Sequence, residues 1–172
     1  LWEHVPREGA DFNVTTPLIH ADQLLLATEN NGTRLHGFSP DGKINPKPAL
    51  ANGSLAPDTC SPVIVGDRVF ATAYGEMYCL DLKDNLKTGW VAEDDMFFDH
   101  SNVIGGNGRV LVWTQSGDLL LVDGAANKFE PLRRLRPFGD VKVDSMSHPA
   151  IVCNRIYLLG PSELSCFDLS RG

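Results

Sequence analysis

The chain has 172 residues, 42% hydrophobic and 22% charged, enough for one domain with a sizeable core. Its net charge of −7 and a pI near 5.1 argue against nucleic acid or an anionic membrane surface as a general partner. No apolar run approaches the roughly 18–20 residues of a membrane span. Residues 1–4 have neither the basic nor the apolar region of a signal peptide, and an opening on Leu1 suggests a processed product or a fragment.

Leu1-Trp2-Glu3 reads as a lone outer strand, because it precedes any inner strand. From Pro17 a phrase begins that the chain repeats four times. Pro17-Leu-Ile-His-Ala-Asp-Gln-Leu-Leu-Leu-Ala-Thr28 returns as Pro62-Val-Ile-Val-Gly-Asp-Arg-Val-Phe-Ala-Thr72. It comes again as Asn102-Val-Ile-Gly-Gly-Asn-Gly-Arg-Val-Leu-Val-Trp113 and as Pro149-Ala-Ile-Val-Cys-Asn-Arg-Ile-Tyr-Leu-Leu159. The anchors lie 45, 40 and 47 residues apart, a period of roughly 40–45 residues that belongs to propeller blades.

Each unit begins with a short apolar strand, headed by Pro in three of them. A two- or three-residue turn rich in Gly, Asp and Asn follows, and then a β-rich run such as Val69-Phe70-Ala71. The third strands are Leu35–Ser39, Met77–Asp81, Leu119–Asp123 and Leu164–Asp168. Both faces of these strands read apolar, as blades packed face to face require. Fourth strands are expected at Gly89-Trp90-Val91, at Pro131–Leu135 and weakly within 41–52, while the last unit stops after its third. No window offers a capped amphipathic helix, so the fold class is all-β. The expected blades are about 13–55, 58–95, 99–137 and 144–172, with 1–5 an outer strand of the closing or a preceding blade. Ile19, Ile64, Ile104 and Ile151, each two residues past its anchor, are expected to form one buried layer.

The run at 62–70, then Gly-Glu-Met-Tyr-Cys-Leu-Asp-Leu (75–82), then Gly89-Trp90, resembles the PQQ-like repeat of quinoprotein-type β-propellers. Asp81, Asp123 and Asp168 closing the third strands, with Ser39 departing, and Trp2 and Trp90 resemble that family's tryptophan-docking element. The resemblance implies a propeller of PQQ-like or WD40-like four-stranded blades and an extracytoplasmic, bacterial location. It also divides the functional expectation. Some members are PQQ- and calcium-dependent alcohol or sugar dehydrogenases; others bind no cofactor. The dehydrogenases have adjacent cysteines and eight blades, whereas Cys60, Cys79, Cys153 and Cys166 are all separate and four blades are seen. The expected role is therefore a non-catalytic binding or scaffold propeller for a protein partner or a carbohydrate. A fragment of a PQQ dehydrogenase, with calcium, is the alternative.

Propellers place ligands over the loops that feed the inner strands. Here those loops share a polar register: Asn13-Val-Thr-Thr16, Asp58-Thr-Cys-Ser61, Asp99-His-Ser-Asn102 and Asp144-Ser-Met-Ser-His148. Asn13, Asp58, Asp99, His100, Asp144 and His148 are thus the candidate ligand-binding residues. Converging, the acids would make a ring for a hard cation or for sugar hydroxyls; alternatively they cap their own turns. No His/Cys spacing matches a zinc template, so no metal role is assigned. No nucleophile elbow appears. Gly105–Gly108 joins two strands and opens no helix, so it is a hairpin turn, not a phosphate loop. Arg133-Arg134-Leu-Arg136 reads as a solvated face. Asn13, Asn31 and Asn52 begin glycosylation triplets, relevant only in a eukaryotic secretory protein.

Cys79 and Cys166 share a third-strand position and are expected to be buried small-hydrophobe sites. Four free thiols are expected, with a Cys153–Cys166 pair within one blade as the alternative. The chain is expected to form an arc of a seven- or eight-bladed ring rather than a closed four-bladed one. An arc bares two apolar blade faces, so pairing with another copy or with missing blades is expected.

Overall fold

The computed structural model describes residues 2–12 and 14–170. It holds four antiparallel sheets, each a meander in chain order. The first contains β1 (Leu18–His20), β2 (Gln23–Thr28), β3 (Gly32–Gly37) and β4 (Leu50–Asn52). The second contains β5 (Val63–Val65), β6 (Arg68–Ala73), β7 (Glu76–Asp81) and β8 (Lys87–Glu93). The third contains β9 (Ser101–Gly106), β10 (Arg109–Thr114), β11 (Leu119–Asp123) and β12 (Pro131–Leu135), and the fourth β13 (Ala150–Val152), β14 (Arg155–Leu159) and β15 (Leu164–Asp168). A single 3-10 turn, Asp95–Phe97, is the one helical element among the described residues. The all-β expectation holds, and the sheets have the form of propeller blades. The predicted fourth strands are present as β4, β8 and β12, and the fourth blade ends on its third strand.

Turn chemistry sets the hairpins. Asn107 and Gly108 both take positive φ (49° and 70°), as a two-residue primed turn requires, and pair Gly106 with Arg109. The same offset pairs His20 with Gln23, Val65 with Arg68 and Val152 with Arg155. These registers correct the repeat alignment. Ile19, Ile64 and Ile151 are equivalent, but their counterpart in the third blade is Gly105, not Ile104. A slip of one residue moves a side chain to the other face of the sheet. Nor is the isoleucine layer buried: Ile19 is 68% exposed and Ile151 44%. Ile19 faces away from the other described blades. Gly105 explains the rest, because a Cβ there would lie 2.7 Å from Val65 Cγ2. Its absence lets β9 approach β5 closely; β13, carrying Ile151, packs less closely against β9.

Each blade has a forward face turned toward the next blade and a back face turned toward the one before. Leu25 and Leu35 on the first blade's forward face meet Val69 and Ala71 on the second's back face. Phe70, Met77 and Cys79 in turn meet Val110, Val112 and Leu120. Trp113 and Leu119 meet Ile156 and Leu158 in a smaller cluster. Trp90 lies between Phe70 of its own blade and Phe129 of the next, and its Nε1–H donates to Ala126 O at 3.0 Å. The docking role expected of Trp90 is thus visible.

Trp2 behaves differently. Residues 2–6 form no strand; Trp2 instead stacks on Phe38 at 6.0 Å, and His4 meets His36 edge-on at 4.8 Å. Leu1 lies outside the described residues. Back-face positions held by Tyr78 and Leu80 in the second blade carry Arg34 and His36 in the first, and the N-terminal segment covers them. Asp11 anchors that segment by accepting hydrogen bonds from Thr28 Oγ1 (2.6 Å), Asn30 N (2.7 Å) and Asn31 Nδ2.

Candidate functional site

A cavity of about 250 Å³ opens between the second and third blades, at the end where chains enter the inner strands. Four segments carry its polar and aromatic lining, and Met146 from the loop before β13 completes it. The loop before β5 brings Asp58 and Thr59, and the β6–β7 turn brings Tyr74. The loop before β9 brings Phe98, Asp99 and His100, and the β10–β11 turn brings Gln115. Tyr74 can project there because it and Gly75 both take positive φ (49° and 88°), a tight turn on which Phe98 packs. The 3-10 turn is tied to the same place, Gly75 N–H donating to Phe97 O and Asp94 N–H to Gly75 O.

Hydrogen bonds link the entry loops around the arc. Thr16 N–H donates to Ser61 Oγ at 2.9 Å, joining the first blade to the second. Thr59 Oγ1 and His100 Nδ1 share a 3.0 Å bond between the second and third. Gln115 Nε2 donates to Asp144 Oδ1 at 2.6 Å, and Asn102 Nδ2 donates to Met146 O and Ser147 O, reaching the last blade. His100 is further fixed by Gln115, whose backbone N–H donates to His100 O and whose side-chain Oε1 accepts His100 N–H at 3.2 Å.

Asp58, Asp99 and His100 come together in the cavity wall as the sequence register suggested. Asp144 reaches the wall only through Gln115. His148 turns away, its Nδ1–H donating to its own neighbour Pro149 O at 2.9 Å. Asn13 lies outside the described residues. The turn-capping alternative is realised at Asp58, whose Oδ1 accepts Thr59 N–H at 2.7 Å. No group of three or more His, Cys, Asp or Glu side chains suited to a metal ion occurs among the described residues. Sequence reasoning missed Tyr74, Phe98 and Gln115. The Tyr74-Gly75 pair was the available signal, but the neighbours that give it meaning come from other blades.

His100 Nε2 and Ser101 Oγ, on residues that line this wall, are buried and have no hydrogen-bond partner among the described residues. Above them Tyr74 and Phe98 are exposed aromatic surfaces, 58% and 75%. The Tyr74 hydroxyl donates to Glu29 at 3.0 Å. Burial first, then that bond and the nearby Glu29 and Asp58 charges, hold its pKa above the usual phenol value. Cys60, at the floor, is buried, and desolvation raises its thiol above the ordinary range. It is a neutral thiol accepting Thr72 N–H, not a nucleophile.

The other cysteines divide by blade. Cys79 is buried as expected, but Cys166, its repeat equivalent, is exposed, because no described blade packs on its face. All four are free, so the Cys153–Cys166 pairing does not form. The arginine triplet is not merely a solvated face: Arg134 Nε binds Asp118 Oδ1 at 3.0 Å and Arg136 Nε approaches it at 3.9 Å, around a carboxylate that is 6% exposed.

No protein-family model matches the chain, and no curated protein matches it. Solved structures do. The chain is similar to BamB from Moraxella catarrhalis, at 18% identity and a TM-score of 0.61 over 92% of its length. It is also similar to AztD from Citrobacter koseri, at 16% identity and TM-scores of 0.59 (apo) and 0.61 over 91% and 92%. The fold is a β-propeller. The chain spans 47% of the BamB chain and 43–44% of the AztD chains, less than half of each.

Proposed function

We propose that this chain is a non-catalytic binding segment of a PQQ-like-repeat propeller, working outside the cytoplasm, and that its ligand sits in the cavity between the second and third blades. The chemistry of that cavity favours a carbohydrate over other ligands. Exposed Tyr74 and Phe98 offer ring faces for the apolar side of a sugar. Asp58, Asp99 and Gln115 accept from or donate to hydroxyls. Aromatic lining with a few placed polar groups is the usual composition of a small-molecule site. Two exposed aromatic rings beside Asp58, Asp99 and Gln115 around one cavity are the observation that carries the reading. The cavity offers no Lys or Arg to a polycarboxylate such as PQQ, which weighs against the dehydrogenase alternative.

Calorimetric titration with a panel of oligosaccharides, and with PQQ plus calcium, tests this. Saturable oligosaccharide binding, weakened at least about tenfold by His100→Ala or Tyr74→Ala, is the expected result; each tenfold is about 1.4 kcal/mol. Binding of PQQ instead would establish the alternative, and heats unchanged by both substitutions would move the ligand elsewhere. A pull-down partner lost on the same substitutions would make the cavity a protein-docking site.

A further inference from the structure

We propose that a second cavity, enclosed between the N-terminal segment and the back face of the first blade, binds a small carboxylate with an apolar body through the guanidinium of Arg34. The inference is independent of the cavity between the second and third blades.

The cavity has a volume of about 250 Å³. His4 and Pro6 of the N-terminal segment form one wall, and Pro17, Leu26 and Arg34 of the first blade form the other. Sites for drug-sized ligands run to roughly 300–1,000 Å³, so this one suits a smaller molecule.

Arg34 is the unusual member of the lining. Strand registers place it where the second and third blades carry Tyr78 and Leu120, both buried. Arg34 is itself only 8% exposed. Burying a charge is costly unless an opposite charge and hydrogen bonds compensate it. Here the compensation is incomplete. Nη2 donates to Thr28 Oγ1 at 2.8 Å, whereas Nε is buried with no hydrogen-bond partner among the described residues. Nη1 has no such partner either and is not sealed in the wall as Nε is, which leaves it as the donor available to a ligand. Asp11 does not fill the role of counter-ion directly. It meets Arg34 through the Thr28 hydroxyl, and its oxygens already accept from Thr28, Asn30 and Asn31. Desolvation accordingly lowers the Arg34 pKa, with the Asp11 charge the lesser, opposing influence.

The remaining lining selects the anion. Burial, and then the His36 and Arg34 charges, hold the His4 pKa below its usual value, so at neutral pH its ring adds no second positive charge. Both threonine hydroxyls are committed, Thr15 Oγ1 donating to Ala27 O and Thr28 Oγ1 to Asp11. A phosphate dianion therefore finds too few donors. A carboxylate matches the planar guanidinium, and Pro6, Pro17 and Leu26 take up the apolar atoms behind it.

NMR titration of the full chain with benzoate decides the matter, with benzyl alcohol as its neutral counterpart and inorganic phosphate as a polar anion. One saturable benzoate site is expected, with the largest backbone shifts within residues 4–6, 15–17, 26–28 and 34. Arg34→Gln is expected to weaken it at least about tenfold, and benzyl alcohol to bind far more weakly than benzoate. The shift map of the wild-type chain locates the site even if that variant does not fold. Failure of benzoate to saturate, or shifts confined to the other blades, overturns the proposal. Equal binding of benzyl alcohol, or tighter binding of phosphate, overturns it as well, the first by removing Arg34 from recognition and the second by replacing the ligand class.

Discussion

The second and fourth blades are written in nearly the same words and end in different environments. Val63-Ile-Val-Gly-Asp-Arg-Val-Phe70 and Ala150-Ile-Val-Cys-Asn-Arg-Ile-Tyr157 form the same hairpin in the same register. In the second blade both faces are covered, and Val69, Phe70, Met77 and Leu80 are fully buried. In the fourth only the back face is covered, so Ile156 and Leu158 are buried while Leu159 and Leu164 stand in solvent. The hairpin is a local decision made by turn residues and β-branched side chains. Burial is decided by what packs on each face, and a repeat cannot specify its own neighbours.

The sharpest way to break the comparison is to truncate equivalent apolar layers. Phe70→Ala is expected to destabilise the chain by about 3–5 kcal/mol in urea unfolding. Leu164→Ala should change it by no more than about 0.5 kcal/mol, and similar losses at both positions would show that the fourth blade is covered. The paired cysteines extend the contrast to reactivity. Desolvation pushes the Cys79 thiol up to about 11, partly offset by the nearby Arg68 charge. At pH 8 the exposed Cys166 should therefore alkylate much faster than the buried Cys79, as read by mass spectrometry of labelled peptides.

Gly105 sharpens the packing side. A Cβ there would lie 2.7 Å from Val65 Cγ2 and 3.2 Å from Val63 Cβ, and neither stiff valine yields easily. Gly105→Ala is expected to cost about 1–3 kcal/mol by overpacking; a neutral outcome in thermal melts would mean that β5 and β9 are less tightly apposed.

The smallest effect concerns the cover on the first blade. Burial works to raise the Asp11 carboxyl, but hydrogen bonds from Thr28, Asn30 and Asn31 outweigh it and hold the pKa below the usual value. A depressed carboxyl stabilises fully above its unfolded pKa and loses that contribution as pH falls through its folded one. Acidification below about pH 4 should thus loosen residues 2–12 before the sheets unfold, seen as faster proteolysis near Arg7. Asp11→Asn should remove that pH dependence.

Part of the candidate site was legible and part was not. Asp58, Asp99 and His100 were readable because they sit at a fixed offset from each inner strand, and the hairpin registers carry that offset into space. Tyr74, Phe98 and Gln115 were not, since each comes from a different segment and nothing local marks their convergence. His148 failed for the opposite reason: it shares the register, but its own backbone neighbour Pro149 satisfies its ring nitrogen.

What the sequence alone determined was the number of repeats, the strands within them and the turns that join them. Those are short-range choices: β-branched runs extend, Gly and Asn accept positive φ, and an Asp closing a third strand caps the turn that follows, as Asp81 Oδ1 does for Lys83 and Asp84. Only the tertiary structure decided which face of each blade is dry. It buried Cys79 and bared Cys166, and turned Trp2 onto Phe38. Each of these depends on atoms some thirty or more residues away or on whether a described blade packs on that face, and no local pattern encodes a contact that another blade must supply.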